Sequence, residues 1–416
     1  MRLLSVQSIK LSFIDSGTGE QMMDNKKKRI YIRFSLIQAL FFSIFAVSTY
    51  QTVYMQEIGI NSTQIGTIIA IASFVGLVAS PVWGIISDWL QSARRPFVVS
   101  VTVTAALFIF MPFVGTLTGG CVSVFYIYIP LIFIFKQASN SLLDSWCISE
   151  LSGLGIGYGS VRMWGSIGYS VISILLGIMV TVLSRTGNMF WFMLPPALLL
   201  GWLCQKRNGE RKPAKNPKDR YEKKGRIREL LNNTTFLIYL VYAFGLNIYL
   251  AVTLIFMPYI LEYAGYPTEQ MGIVTGFRAL VEILSMFAGS QLARKFPLKY
   301  IIILPGILFG LEHILYQFAY GLPSILSIMI LSGLAGGFYY SLGPSYIYEI
   351  IHSNVKSTAQ TINAMGLTLV SIVGSAVGGF VIDTWGISTM TTGCGILILT
   401  LTVVFILSLK INSRKE

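Results

Sequence analysis

Lys206-Arg-Asn-Gly-Glu-Arg211-Lys-Pro-Ala-Lys215-Asn-Pro-Lys218-Asp-Arg220-Tyr-Glu-Lys223-Lys224-Gly-Arg226-Ile-Arg228 is the stretch that decides how this chain is read. It holds eleven of the 31 Lys+Arg residues, and an almost unbroken apolar run lies on each side, at 29–205 and 233–410. Of the 416 residues, 54% are hydrophobic and 12% charged. Soluble domains carry roughly 25% charged residues, so the medium around most of this chain is lipid. A helix needs ~20 apolar residues to cross a bilayer. Twelve stretches qualify: 30–55, 62–88, 97–117, 122–149, 160–184, 188–204, 234–262, 269–292, 299–318, 324–350, 357–382 and 388–409.

The resulting division is an N-terminal tail at 1–28, read as disordered, then a six-helix bundle at 29–205 and a basic linker at 206–232. A second six-helix bundle follows at 233–410, with a short tail at 411–416. The net charge of +13 is distributed in alternation. Lys26, Lys27, Lys28 and Arg29 precede the first span, Arg94 and Arg95 follow the second, and Arg294, Lys295 and Lys299 follow the eighth. Lys356 follows the tenth, and Lys410, Arg414 and Lys415 close the chain. The loops between offer Arg185 as their one base, with Glu57, Glu262, Glu269 and Asp383 as acids. Basic loops stay in the cytoplasm, which puts both termini and the linker inside and makes the protein multi-pass in the cytoplasmic membrane. Bases on alternate loops fit nucleic-acid binding poorly, so the expected partners are a small-molecule solute and the lipid bilayer, with the chain acting as a monomer. Residues 1–24 lack the apolar core of a cleaved signal peptide, and Met22 or Met23 offers an alternative start.

The halves repeat at an offset of about 205 residues. Tyr54-Met-Gln-Glu57 followed by Thr63-Gln-Ile-Gly66 recurs as Tyr259-Ile-Leu-Glu262 followed by Thr268-Glu-Gln-Met-Gly272, and Gly84 recurs as Gly289. Two related membrane-embedded halves are the layout of a transporter that rocks about a central site. The loop after Gly84 reads Gly84-Ile-Ile-Ser-Asp88-Trp-Leu-Gln-Ser-Ala-Arg94-Arg95. Its glycine allows close helix approach, and Asp88 can neutralise a helix N-terminus or pair with the arginines. This gating loop resembles the Gly-x-x-x-Asp…Arg-Arg/Lys signature of the major facilitator superfamily, with one extra residue before Arg94 and no acid in the second copy.

Ionisable residues inside spans cost about 2.5–3.5 kcal/mol each on insertion scales and call for a reason. Six stand out: Lys136, Asp144, Arg162, Arg278, Glu282 and Glu312. Lys136, Asn140 and Asp144 share one helix face at i, i+4 and i+8, and Arg278 and Glu282 share another at i, i+4. The stretch Tyr158-Gly-Ser-Val-Arg162-Met-Trp-Gly-Ser-Ile-Gly168-Tyr169 resembles the fifth helix of the lactose-permease-like oligosaccharide:proton symporters and of the phenylpropionate-permease-like group. The resemblance continues through 272–287 and 303–312. It implies that Asp144 and Arg162, eighteen residues apart, hold a polar solute and that Tyr169 stacks on it.

The departures are as telling. Arg278 stands where those symporters have an acid, and Glu312 where they have an arginine, so the two read as a charge-swapped pair. Their proton-carrying His and Glu on the tenth helix match nothing in 331–335. Proton coupling, if used, falls to Glu312, Glu282 or Asp144. Tyr50, Tyr54, Tyr169 and Tyr249 are further candidates for a cavity lined by the first, fourth, fifth, seventh, eighth and tenth spans. The four cysteines show no metal spacing, and no nucleotide-binding loop or enzyme motif is present.

The expected function is alternating-access transport of a sugar, nucleoside or small organic acid in symport with protons, with no bound cofactor. The competing readings are a drug or metabolite exporter and a non-transporting sensor on the same scaffold.

Overall fold

The computed structural model describes residues 4–117, 119–151, 154, 156–180, 186–205, 230, 232–351 and 355–412. Arg185 and most of the basic linker lie outside the described residues, as do Arg414 and Lys415. Every regular element among the described residues is helical. In order they are α1 (Leu4–Ser48), α2 (Gln51–Glu57), α3 (Ser62–Trp89), α4 (Arg94–Leu117), α5 (Val122–Leu151), α6 (Tyr158–Met179) and α7 (Leu194–Leu203). The second half holds α8 (Thr234–Ile248), α9 (Met257–Tyr263), α10 (Met271–Lys295), α11 (Leu298–Ile301), α12 (Leu304–Leu315), α13 (Gly321–Ile350) and α14 (Lys356–Asn412).

Ten stretches among the described residues are long and apolar enough to cross a membrane, and the protein is a multi-pass membrane protein. Two departures from the sequence reading explain the number. The expected sixth span is a 3-10 segment, Thr186–Met193, running into the ten-residue α7. The expected eleventh and twelfth form one element, α14, interrupted at Gly386 with φ 83° and ψ 165°. That left-handed conformation suits glycine alone, and it ends one helix and starts the next. At the other terminus α1 is continuous from Leu4, through the basic run and the first expected span.

Local chemistry sets the helix starts. Asn61 caps α3 in a reciprocal box with Gln64, and the Asn233 side chain accepts from Phe236 N at 3.0 Å to cap α8. At the far end of α7, Arg33 donates to the Leu203 and Gln205 carbonyls and Arg94 Nη1 to the Cys204 carbonyl at 2.7 Å. Those cations satisfy carbonyls that have no partner within the helix.

The hydrogen bonds described between the two halves cluster at one end, near Gly66 and Gly272. Ser62 and Thr63, at the start of α3, donate to Asp383 and to the Gly379 carbonyl. Gln56 Nε2 donates to Glu262 Oε2 at 2.6 Å, Gly272 N to Tyr50 Oη at 3.2 Å, and Ser170 Oγ to the Gly276 carbonyl at 2.7 Å. Backbones touch there. A Cβ on Gly66 would overlap the Ser375 carbonyl, and one on Gly272 the Ser173 carbonyl. The two glycines of the internal repeat thus perform the same task on opposite sides: α3 against α14, and α10 against α6.

Candidate functional site: charges between the two halves

α5 and α6 carry the first group of charges. Tyr158 Oη donates to Asp144 Oδ1 at 2.5 Å, and Asp144 lies within electrostatic reach of Arg162 without forming an ion pair. The Arg162 guanidinium instead lies 3.9 Å from the centre of the Phe42 ring, a cation–π contact. Lys136, two turns before Asp144, turns away from it. Its ammonium sits 5.0, 5.1 and 5.4 Å from the centres of Phe133, Phe45 and Phe108. Between them on the same face, Asn140 keeps a buried Oδ1 with no hydrogen-bond partner. Gln38 on α1 is fully buried, and both of its side-chain polar atoms are unpartnered. Such atoms are costly unless something bonds to them at another stage of the working cycle.

The second group lies on α10 and α12. Arg278 Nη1 bonds Glu282 Oε2 at 2.7 Å, one turn along α10. This corrects the expected Arg278–Glu312 salt bridge. Glu312 is 0% exposed, and its Oε1 accepts from Tyr316 Oη at 2.6 Å while Oε2 has no partner. The reason is geometric: an i, i+4 partner is always within reach, whereas Glu312 would have to meet Arg278 past the Tyr249 ring. That ring lies 5.8 Å from the Arg278 guanidinium and stacks on Phe309 at 4.3 Å.

Sequence reasoning missed His313. It is fully buried, with Nδ1 2.7 Å from the Phe309 carbonyl and Nε2 2.7 Å from Thr253 Oγ1. A carbonyl can only accept, so Nδ1 carries the proton and Nε2 accepts from the threonine. A histidine adjoining an in-span acid was the available signal. Thr253 ends a π-helical turn, Tyr249–Thr253, that interrupts the seventh span. Turns of this kind are frequent at functional sites.

Tyr169 reaches the boundary between the halves, beside Ser173 and Thr275 and within electrostatic reach of Arg278. Tyr340 on α13 feels Glu282, Arg278 and, from the opposite half, Arg162. Of the other tyrosine candidates, Tyr50 accepts from Gly272 N and Tyr249 accepts from Ser332 Oγ at 2.6 Å. Tyr54 donates to the Pro112 carbonyl inside the first half.

The loop after Gly84 is placed differently from its expected contacts. Asp88 and Arg95 are exposed, and the described Asp88 side chain forms no ion pair. Arg94 is drawn inward to the Cys204 carbonyl. No atom lies within 4 Å of a Cβ built on Gly84, whereas its repeat partner Gly289 lies tight against Ser341. The hydrogen bonds described between the halves lie at the other end, around Gly66 and Gly272.

The chain is similar to a maltose permease from Geobacillus stearothermophilus, 24% identical over 355 residues, covering 84% of this chain and 87% of the permease. It is also similar to a lactose permease from Klebsiella oxytoca, 22% identical over 385 residues, with 86% and 89% covered. Among solved structures, the nucleoside transporter NupG superposes with a TM-score of 0.76 at 15% identity, over 92% of this chain and 99% of NupG. Residues 31–391 match the MFS_1 like family. The paired halves, the repeat glycines where they meet and the in-span charges between them therefore belong to a membrane transporter, not an enzyme, and the chain is a member of the MFS_1 like family of the major facilitator superfamily.

Proposed function

We propose that this transporter moves a small polar organic solute, of the sugar, nucleoside or small organic acid class, across the cytoplasmic membrane by alternating access in symport with protons. In this reading the chain crosses twelve times, counting the short α7 segment and both arms of α14. Residues 29–205 and 233–410 move as two six-helix bundles of a monomer, and both termini and the basic linker face the cytoplasm. The Gly66 end is then the outer one and the Gly84 end the inner one, so the arrangement described is inward-facing. The relatives' names support the solute class. The basic loops support the orientation, since they favour the cytoplasmic side.

The observation that carries the binding assignment is the Asp144–Tyr158–Arg162 group on α5 and α6, with the unpartnered Asn140 Oδ1 on the same face. Asp144 has a second carboxylate oxygen for a solute hydroxyl, and Arg162 has a planar fork of donors held only by the face of Phe42. Charge-assisted bonds of this type are strong where water is thin. Glu312 is the best-placed proton carrier. Glu282 is tied to Arg278 and Asp144 belongs to the group assigned to the solute, while Glu312, bonded to Tyr316, forms no ion pair among the described residues and keeps Oε2 without a partner. No metal or cofactor enters this scheme.

Purified protein in liposomes tests it. Arg162→Ala is expected to reduce counterflow of the transported solute by roughly ten- to hundredfold, the loss of one or two charged hydrogen bonds. Wild-type rates in Arg162→Ala for every transported solute would remove Arg162 from the binding site. Binding without any exchange in the wild type would instead favour a sensor.

A further inference from the structure

The in-span charges are unevenly satisfied. On α10, Arg278 and Glu282 neutralise each other at 2.7 Å. Glu312 is enclosed in the second half and bonded to Tyr316. That leaves two cations of the first half, Lys136 and Arg162, neither of which forms an ion pair among the described residues, with Asp144 within electrostatic reach of Arg162 alone. Their surroundings are aromatic. Lys136 Nζ lies 5.1 Å from the Phe45 ring centre, and the Arg162 guanidinium 3.9 Å from that of Phe42. Phe42 and Phe45 are one turn apart on α1, with ring centres separated by 5.9 Å. Both cations therefore border one pair of rings.

A quadrupolar ring face is a weak substitute for a carboxylate, and a membrane-embedded ammonium held only by rings is one negative charge short. A neutral sugar or nucleoside would leave that deficit in place. Building on the transport reading above, we infer that the solute is an organic anion with a single carboxylate, which fills the missing charge between Lys136 and Arg162 while its apolar part lies along Phe42 and Phe45. The arrangement also accounts for Asp144. Asp144 offsets Arg162, which lies within its electrostatic reach, and leaves a deficit of one at Lys136, so a dicarboxylate would be over-compensated. Carrying a proton with the anion would make the translocated pair neutral.

The test uses the full-length protein in liposomes, loaded in turn with acetate, lactate, benzoate, lactose, maltose and uridine for counterflow. Melting temperatures are followed in detergent with the same solutes. One or more of the three carboxylates should exchange and stabilise the protein. Lys136→Gln should raise the half-saturating carboxylate concentration by roughly ten- to hundredfold, and Lys136→Arg should return it to within about threefold of wild type, since charge is what is required. Without solute, Lys136→Gln should melt no lower than wild type, because it removes an unpaired charge rather than a support. A purely structural lysine would lower that melting point and leave the half-saturation unchanged, which overturns the inference. Exchange of lactose, maltose or uridine but of no carboxylate also overturns it and leaves the transport reading standing. Silence from all six solutes contradicts both.

Discussion

Leucine in place of Gly272 is expected to lower transport by roughly hundredfold or more while the protein still inserts and folds. The argument rests on what a side chain would meet. A Cβ there overlaps the Ser173 carbonyl oxygen and comes to 2.5 Å from Tyr50 Oη and 3.0 Å from Gly177 N. Two of the three obstacles are backbone and cannot turn aside. The contact joins α10 to α6 across the halves, so the clash prevents closure of that end and not the folding of either half. A packed boundary between helices has two arrangements, closed or open, and does not deform smoothly between them. Gly66→Leu should behave alike, because the Ser375 carbonyl blocks it in the same manner. The check is solute counterflow in liposomes together with the elution profile of the purified variants. Near-normal transport in either would mean that the end does not need to close.

The second large effect concerns Arg278. Arg278→Ala leaves the Glu282 carboxylate in a nearly enclosed site, with its only described ion-pair partner gone. Breaking a pair of this kind costs about 3–5 kcal/mol, so the melting temperature should fall sharply. Glu282→Ala should be comparably harmful, since it leaves the guanidinium alone. Arg278→Ala combined with Glu282→Ala should recover most of the loss, because neither charge then remains. A double variant as unstable as the sum of the two single ones would show that the pair is not coupled. Had Glu312 been the partner of Arg278, the rescue would come from Glu312→Ala instead, so the same experiment separates the two pairings.

That pairing shows where the sequence could be trusted. Arg278 and Glu282 stand at i, i+4, a spacing that helical geometry alone turns into a contact. The expectation of an Arg278–Glu312 bridge came from resemblance to symporters with charges at the corresponding places, and the local partner prevailed. The alternation of basic loops and apolar windows made the membrane fold legible, because hydrocarbon admits few alternatives to a helix. It could not show that the expected sixth span begins as a 3-10 segment or that Gly386 joins the two arms of α14. Those depend on backbone angles at single residues. Within the site, the face shared by Lys136, Asn140 and Asp144 was readable, whereas the partners of Lys136 were not. Phe45 and Phe108 come from α1 and α4, and no spacing rule links them to α5. Tyr158 sat inside the quoted fifth-helix motif, yet its bond to Asp144 crosses a loop whose path the sequence does not dictate.

Alternating access requires that the Gly84 end close when the Gly66 end opens. Distances between spin labels on cysteines placed at Trp89 and Phe296, which are 81% and 54% exposed at the Gly84 end, test it most directly. With the native cysteines replaced and the protein in liposomes, the Gly272→Leu background should move the distance distribution to a shorter population than the wild type shows. A distribution identical in both backgrounds would mean that the two ends do not move in opposition, and alternating access about these charges would be contradicted.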